Sequence, residues 1–317
     1  MRDGSKASPT ISVVVPCWRS EATIGRCIAA LRDQRSPPDF EVIVVDSSPD
    51  EATALAARAA NPPGPGTLDL ALDRAPDRLF PGAARNRGAA LARAPWLLFL
   101  DSDCVASSDL LEVAAGFAES GPGVFGGSIA LPGGAPASAR IRHLLEFKES
   151  LPGVPARATW QIPSACMLVD RAVFELHGGF PGTRASEDWL FDWAVWSGGH
   201  RMRFEPALRI VHLTPSGWRA MASYLRLLGR ASGAARRSGG LPGQALVRHP
   251  WLAAGLPAAR TARALAWCAR HSPRDFAFLL VAWPAYLVMS GIWAAGFHQG
   301  VRALPGAAPL APGRGRA

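Results

Sequence analysis

At 317 residues the chain is long enough for one large α/β domain with an appendage; 49% of it is apolar and only 19% charged. Thirty-four Lys and Arg, nearly all Arg, face 25 Asp and Glu, and the net charge of +9 favours anionic partners such as phosphates or acidic lipid surfaces. No zinc-finger, RNA-recognition or aromatic-interleaved pattern accompanies that charge, which excludes nucleic acid as an expected partner. The five scattered cysteines (Cys17, Cys27, Cys104, Cys166, Cys268) form no CxxC pair, which excludes a disulfide framework and a structural zinc site.

Met1 to Pro9 is polar and has no apolar signal core, so residues 1–9 are expected to be disordered and the folded part cytosolic. Ile11 to Val15 is β-branched except at Ser12, the pattern of a strand covered on both faces. It stops at Pro16. Ser20 is placed to cap a helix whose stripe is Ile24, Cys27, Ile28 and Leu31, ending before Pro37 and Pro38. Glu41 to Val45 is a second buried strand, closed by Asp46. Strand, helix and strand in this length make a right-handed crossover, hence a parallel sheet with ligands above its carboxyl edge.

The Pro/Gly cluster from Asn61 to Gly66 reads as a loop and Leu68 to Leu72 as a short strand. A helix over about Gly82 to Arg93 precedes the apolar run Trp96 to Leu100, which ends at Asp101, Ser102 and Asp103. Gly123 to Leu131, Ser164 to Val169 and Arg203 to Leu213 read as later strands, and Arg171 to His177 as a short helix. Ser186 is placed to cap another, opening with Glu187 and Asp188.

Asp101 and Asp103 admit two readings. Two apart on an extended backbone, they would face one site, and two close carboxylates call for a hard cation such as Mg²⁺ or Mn²⁺ that completes its shell with substrate phosphates. Alternatively Asp101 ends a strand and Asp103 caps a turn. Asp46 is at the same sheet edge, either in an Asx turn with Ser48 or accepting hydrogen bonds from a nucleoside. Glu187 and Asp188 suit the helix dipole, yet adjacent carboxylates raise each other's proton affinity, as a general base requires. His212 reads as structural or as a ligand. Arg219, Arg226, Arg230, Arg236 and Arg237 read as a solvated helix face or as a binder of diphosphate or anionic lipid.

Phe276 to Phe297 carries no charge and is long enough, as a helix, to cross ~30 Å of hydrocarbon. Arg260, Arg263, Arg270 and Arg274 precede it and Arg302 follows, which would put its N-terminal side in the cytosol. It is expected to span the membrane or lie in its interface. The Gly/Pro-rich end is expected to be disordered.

In order, Val13-Val14-Val15-Pro16, Val44-Val45-Asp46-Ser47-Ser48, Ala84-Arg85-Asn86-Arg87-Gly88, Phe99-Leu100-Asp101-Ser102-Asp103, Arg171 with Phe174 and Gly178-Gly179-Phe180, and Glu187-Asp188 resemble the family-2 glycosyltransferases. The resemblance implies an inverting enzyme of GT-A fold: a mostly parallel sheet flanked by helices over residues 10–235. After it come a basic amphipathic stretch of linker and helices at 236–275, a transmembrane or membrane-associated helix at 276–297 and a disordered tail at 298–317. It further implies that Pro16, Glu21 and Asp46 line the nucleoside pocket, with Arg85 and Asn86 close by. Asp101 would approach the ribose and metal, Asp103 would ligate Mg²⁺ or Mn²⁺ with His212 in support, and Asp188, beside Glu187, would take the acceptor proton.

The implied donor is a nucleoside-diphosphate sugar, a UDP-sugar by preference. The implied acceptor is a hydroxyl, on a lipid-linked or cell-envelope glycan at the cytoplasmic face of the membrane. Ser47-Ser48 replaces a second acidic residue, Ser164-Ala165-Cys166 replaces a Gly-rich acceptor loop, and no QxxRW motif is present, which points to single-sugar transfer. Two rivals stand beside this reading: a non-catalytic nucleotide-sugar-binding protein, and a metal-dependent nucleotidyltransferase, which would want a Gly-rich loop where Pro16-Cys17-Trp18-Arg19-Ser20 has no glycine.

Overall fold

The structure, a computed structural model, describes residues 8–303. The first crossover forms as expected from strand β1 (Ile11–Cys17), helix α1 (Ile24–Arg32) and strand β2 (Phe40–Asp46). β1 and β2 pair in parallel, from Ile11 opposite Phe40 to Cys17 opposite Asp46. α1 buries the anticipated stripe Ile24, Cys27, Ile28 and Leu31. Ser20 does not cap it: Thr23 holds the cap position, and the Ser20 carbonyl accepts from the Thr23 and Ile24 amides.

Next come α2 (Ala52–Ala59), β3 (Leu70–Arg74), α3 (Pro81–Leu91) and β4 (Trp96–Leu100). α2 is an unanticipated element, because a run as Ala-rich as Ala-Thr-Ala-Leu-Ala-Ala-Arg-Ala has almost no apolar contrast to read. Gly88 lets α3 lie directly on the sheet, since a Cβ there would stand 2.4 Å from Val14 Cγ1. The remainder of the sheet domain is β5 (Cys104–Ala106), α4 (Leu110–Glu119), β6 (Val124–Ala130), α5 (Ala137–Phe147), β7 (Arg157–Ala158), β8 (Cys166–Asp170), α6 (Arg171–Leu176), α7 (Glu187–Ser197) and β9 (Met202–His212).

The strand order is β3-β2-β1-β4-β8-β6-β9-β5, with β7 also on β9. The first four strands are parallel, as expected. The second half is mixed: β8 runs antiparallel to both β4 and β6, and β5 and β7 run antiparallel to β9. Successive side chains alternate between the two faces. Val13 and Val15 pack with Ile24, Ile28 and Leu111 on one face; Val14, Val45 and Phe99 pack with Ala84, Phe174 and Phe191 on the other. Fully burying each such side chain stabilises by roughly 1.5–3 kcal/mol.

The C-terminal part is a helical layer: α8 (Trp218–Gly239), α9 (Gln244–Arg248), a 3-10 segment Pro250–Gly255, α10 (Leu256–His271) and α11 (Pro273–Arg302). It has its own core, in which Leu144 of α5 and Phe204 of β9 meet Leu225, Cys268, Tyr286, Trp293 and Phe297. The expected linker 236–275 is thus folded onto the sheet domain. Residues 298–302, expected in the tail, form the last turn of α11; residues 1–7 and 304–317 lie outside the described residues.

α11 is long and apolar enough to cross a membrane by length and composition. Its C-terminal half, however, packs parallel to α8 at backbone distance. A Cβ on Gly229 would meet Trp293 O at 2.0 Å, one on Gly296 would meet Arg226 O at 2.2 Å, and one on Gly300 would meet Arg230 O at 2.0 Å. Of the α8 arginines that read as a solvated face, Arg219, Arg226, Arg230 and Arg237 are exposed, and two of these also reach α11, Arg226 Nε to Gln299 Oε1 at 3.3 Å and Arg237 Nη1 to Val301 O at 3.3 Å.

Candidate active site

Asp46 ends β2 and is fully buried. Its Oδ1 accepts the Ser48 amide at 2.9 Å, the expected Asx turn, while Oδ2 has no hydrogen-bond donor among the described residues and lies 3.7 Å from Arg74 Nε. Ser48 Oγ accepts the Arg19 amide at 2.8 Å, and Thr53 Oγ1 accepts the Ser20 amide at 2.9 Å and donates to Glu21 Oε2 at 3.3 Å. These bonds tie the β1 edge, with Pro16 and Glu21, to the β2 edge that carries Asp46. Beside them the Arg78 guanidinium stacks 4.3 Å from the Trp18 ring centre.

The stretch 101–103 is a tight turn, not extended backbone: the Cys104 amide donates to Asp101 O at 3.0 Å. The two carboxylates consequently have different partners, a correction to the shared direction that strand alternation implied. Asp101 Oδ1 is 2.5 Å from Arg85 Nη2, while Asp103 Oδ1 faces His212 Nε2 at 3.4 Å. His212 is brought there by β5–β9 pairing, which sets it opposite Cys104 and bonds the Leu213 amide to Asp103 O at 2.8 Å. Thr214 Oγ1 at 2.8 Å from Nδ1 and the Phe147 ring fix the imidazole. Burial, helped by Asp101, raises the Asp103 carboxyl above the usual range, with His212 pulling the other way.

Asp103, Cys104 and His212 offer donor atoms within 4.8 Å of one another. Burial pushes the Cys104 thiol far up, so it is a poor partner for a hard cation. Carboxylate oxygen plus an imidazole nitrogen oriented by Thr214 fits a divalent cation of the Mn²⁺ type better than Mg²⁺, which prefers oxygen alone.

Arg85 joins the two halves of the site. Buried on α3, it holds Asp101 with Nη2 and Glu187 Oε1 with Nη1 at 3.0 Å. Asn86, expected near the nucleoside, is instead a brace: its Nδ2 donates to Phe180 O at 2.7 Å and its Oδ1 accepts the Phe180 amide at 2.9 Å. That clamp needs Gly179 in the left-handed region (φ +68°), where its missing Cβ also makes room for Asn86 Oδ1.

Ser186 precedes α7 with φ +66° and makes no capping bond, contrary to the expected cap. The left-handed turn delivers Glu187 and Asp188 to the site at the first turn of the helix. The Asp188 carboxyl is pushed up to about 7, by burial first and by Glu187 second, with Arg85 opposing. One turn on, fully buried Asp192 accepts the Ile162 amide at 2.7 Å and is held well above the carboxylate range by burial, then by Asp188. It anchors the segment Trp160 to Pro163, which forms part of the cavity wall.

A cavity of about 600 Å³ opens over this region. Asp101, Arg85, Glu187 and Asp188 line it; Pro16, Glu21, Asp46, Asn86, Asp103 and His212 do not. Of its remaining wall, sequence reading missed Trp160, Trp189, Trp293 and the α8 residues Tyr224, Leu228 and Ser232, and on α8 singled out only Arg236, as one of a basic run. These four α8 residues are spaced by four residues, a helical stripe of mixed polarity that could have marked α8 as lining a cavity.

The sequence model of glycosyl transferase family 2 matches residues 12–177. Among characterised proteins the chain is 37% identical over 103 residues to the succinoglycan biosynthesis protein ExoO of Rhizobium meliloti, covering 32% of this chain and 28% of that one. It is 28% identical over 209 residues to the pre-mycofactocin glycosyltransferase of Mycobacterium tuberculosis, covering 64% and 42%. The chain thus spans less than half the length of these relatives. The fold is similar to that of the mannosyltransferase PcManGT from Pyrobaculum calidifontis in complex with GDP-Man and Mn²⁺, with TM-score 0.64 and 22% identity over 94% of this chain and 88% of that one. Staphylococcus aureus TarS 1–349 in complex with UDP-GlcNAc matches with TM-score 0.54 and 18% identity over 91% and 89%. The sheet with its flanking helices is the GT-A architecture of such enzymes. A family match running from β1 to the residue after α6, more than half of the sequence, on that architecture makes this chain a member of glycosyl transferase family 2.

Proposed function

We propose that the protein transfers a single sugar, with inversion, from a nucleoside-diphosphate sugar to a hydroxyl acceptor. The observation that carries the reading is the Asp101–Arg85–Glu187 bridge, which fixes the carboxyl edge of β4 to the start of α7 and leaves Asp188 beside it on the same cavity wall. In-line inversion requires a base on the acceptor side of the sugar and charge stabilisation on the diphosphate side. Asp188 takes the proton from the attacking hydroxyl, and its raised proton affinity suits that task near neutral pH. Arg85 holds Asp101 and Glu187 in place, and the 160–163 segment anchored by Asp192 shields the reaction from water. A divalent cation, which Asp103 and His212 would hold, supplies charge stabilisation for the departing diphosphate.

Asp46 supports a uridine donor. Its Oδ2 has no hydrogen-bond donor among the described residues and is an acceptor for the imide N–H of uracil. Calorimetry with Mn²⁺ is expected to give tighter binding of UDP than of GDP. Asp103→Asn and His212→Ala are expected to remove the Mn²⁺-dependent part of the UDP affinity. Equal UDP affinity with and without Mn²⁺ would count against the metal assignment, and no binding of any nucleoside diphosphate against the transferase.

The helical layer supports attachment to an anionic membrane surface at its cytoplasmic side, where a lipid-linked or envelope-glycan acceptor would be met. Residues 206–317 hold fourteen Arg, no Lys and a single acidic residue, Asp275, a net +13 against −4 for residues 1–205. Leu280, Val281, Trp283 and Val288 of α11 and Trp251 are exposed. Ahead of its α8 contact at Trp293, α11 buries Leu279, Tyr286, Met289 and Ser290 in the helical layer and leaves only its other side, with Leu280, Val281, Trp283 and Val288, open to lipid. An interfacial placement therefore fits better than a span. In co-sedimentation, the full chain is expected to bind phosphatidylcholine vesicles only when they contain phosphatidylglycerol, and the pair Leu280→Asp with Val281→Asp to abolish this. Binding that ignores both the lipid charge and the variant would refute the placement.

A further inference from the structure

Among the described residues Arg236 and Arg260, both in the cavity wall, have no carboxylate at ion-pair distance. Arg236 donates from Nε to Pro242 O at 3.0 Å and from Nη1 to Ser232 O at 3.2 Å, which leaves Nη2 unused. Its guanidinium lies 5.0 Å from the Trp189 ring centre and 5.7 Å from that of Phe297. Arg260 of α10 stacks 4.2 Å from the Trp293 ring centre; its Nε is buried with no hydrogen-bond acceptor. Glu149, in the same wall, is already shared by Lys148 at 3.4 Å and Arg263 at 2.8 Å.

Of these four cations only Lys148 and Arg263 have a carboxylate at ion-pair distance, the one they share, and burial weakens three of the four. It lowers the proton affinity of Arg236 to about 10 and, in the same direction, that of Arg260 and Lys148. Buried cations left without a counter-ion are costly, and a fold that keeps them has a use for an anion there. An excess of this size suits a multiply charged group, and guanidinium forks match phosphate oxygens. The position decides which phosphate. Arg236 stacks on Trp189, the residue after Asp188, whereas Asp103 and His212 lie outside this cavity's lining.

We propose that this end of the cavity binds the acceptor through a phosphate group, held by Arg236 and Arg260, with Trp189, Trp293 and Phe297 flanking the apolar part beside it. The assignment rests on the transferase reading, since that reading sets the donor diphosphate at Asp103 and the acceptor at Asp188. Arg236 and Arg260 then orient the acceptor so that its hydroxyl meets Asp188.

The test is calorimetry on the full chain with Mn²⁺ and saturating UDP, so that the donor site is filled. The probes are octyl phosphate, glycerol 3-phosphate and the neutral octyl glucoside. Octyl phosphate is expected to bind at least about tenfold more tightly than octyl glucoside, and Arg236→Gln and Arg260→Gln each to weaken it about tenfold. UDP affinity in both variants is expected to stay unchanged, which also reports that they fold. Octyl phosphate binding well ahead of glycerol 3-phosphate supports a lipid phosphate; equal binding of the two supports a soluble phosphorylated acceptor. The proposal is overturned if octyl glucoside binds as well as octyl phosphate, if neither variant changes phosphate binding, or if Arg236→Gln loses UDP. Failure of the wild type to bind UDP, GDP or any other nucleoside diphosphate overturns the transferase reading instead.

Discussion

Asp188→Asn is expected to lower turnover about 10²–10⁴-fold, the range that a positioned general base contributes, while UDP affinity with Mn²⁺ stays as in the wild type. The amide has nearly the same shape and keeps an oxygen for the Trp189 amide, which Asp188 Oδ1 accepts at 2.9 Å. Only the proton acceptor is lost. The sign of the pH dependence follows from the raised carboxyl. A base works when ionised, the ionised fraction grows with pH, and half of it is present at about 7, so kcat/KM is expected to rise with pH and level off above neutrality. Residual activity of the Asn variant is expected to lack this acid limb. A variant within tenfold of wild-type turnover would place the base elsewhere.

Arg85→Met is expected to destabilise the protein by about 3–5 kcal/mol, because it strands the buried Glu187, and the half-buried Asp101 beside it, without their shared cation. Urea unfolding measures it, and a loss below about 1 kcal/mol would show the bridge to be dispensable. Arg85→Lys keeps a positive charge but has one nitrogen for two carboxylates, so partial recovery is expected. The lysine variant also reads out function. Arg85 is the group that lowers the Asp188 carboxyl against burial and Glu187, so weakening its hold is expected to move the acid limb to higher pH. A stable variant with an unmoved limb would separate the bridge from the chemistry.

Much of the sheet domain was legible in the residues. Ile11 to Val15, Glu41 to Val45 and Trp96 to Leu100 are mostly apolar runs, and each is a central strand in the structure, although the first, expected to stop at Pro16, stays paired through it to Cys17. The membrane-length helix was legible too, since 22 uncharged residues in a row need no tertiary information to be noticed. Helices α2 and α5 were not, because an Ala-rich run or a run mixing Arg and Ser offers little apolar periodicity. The Asp101 to Asp103 turn was misread as extended backbone, a local geometry that residue types alone leave open.

What the sequence determined by itself is the set of chemical groups and their order along the chain: carboxylates at strand ends, a Glu-Asp pair at a helix start, and a C-terminal third with almost no acidic residues. Only the tertiary structure decided which of them meet. Antiparallel β5–β9 pairing brings His212 to Asp103, the buried guanidinium of Arg85 joins Asp101 to Glu187, which lies 102 residues beyond the arginine, and glycine contacts draw α11 against α8 so that Trp293 and Phe297 close the cavity. These are long-range contacts, set by how the packed layers register against each other. Local patterning carries no information about that register, so the choice of partners emerged only on folding.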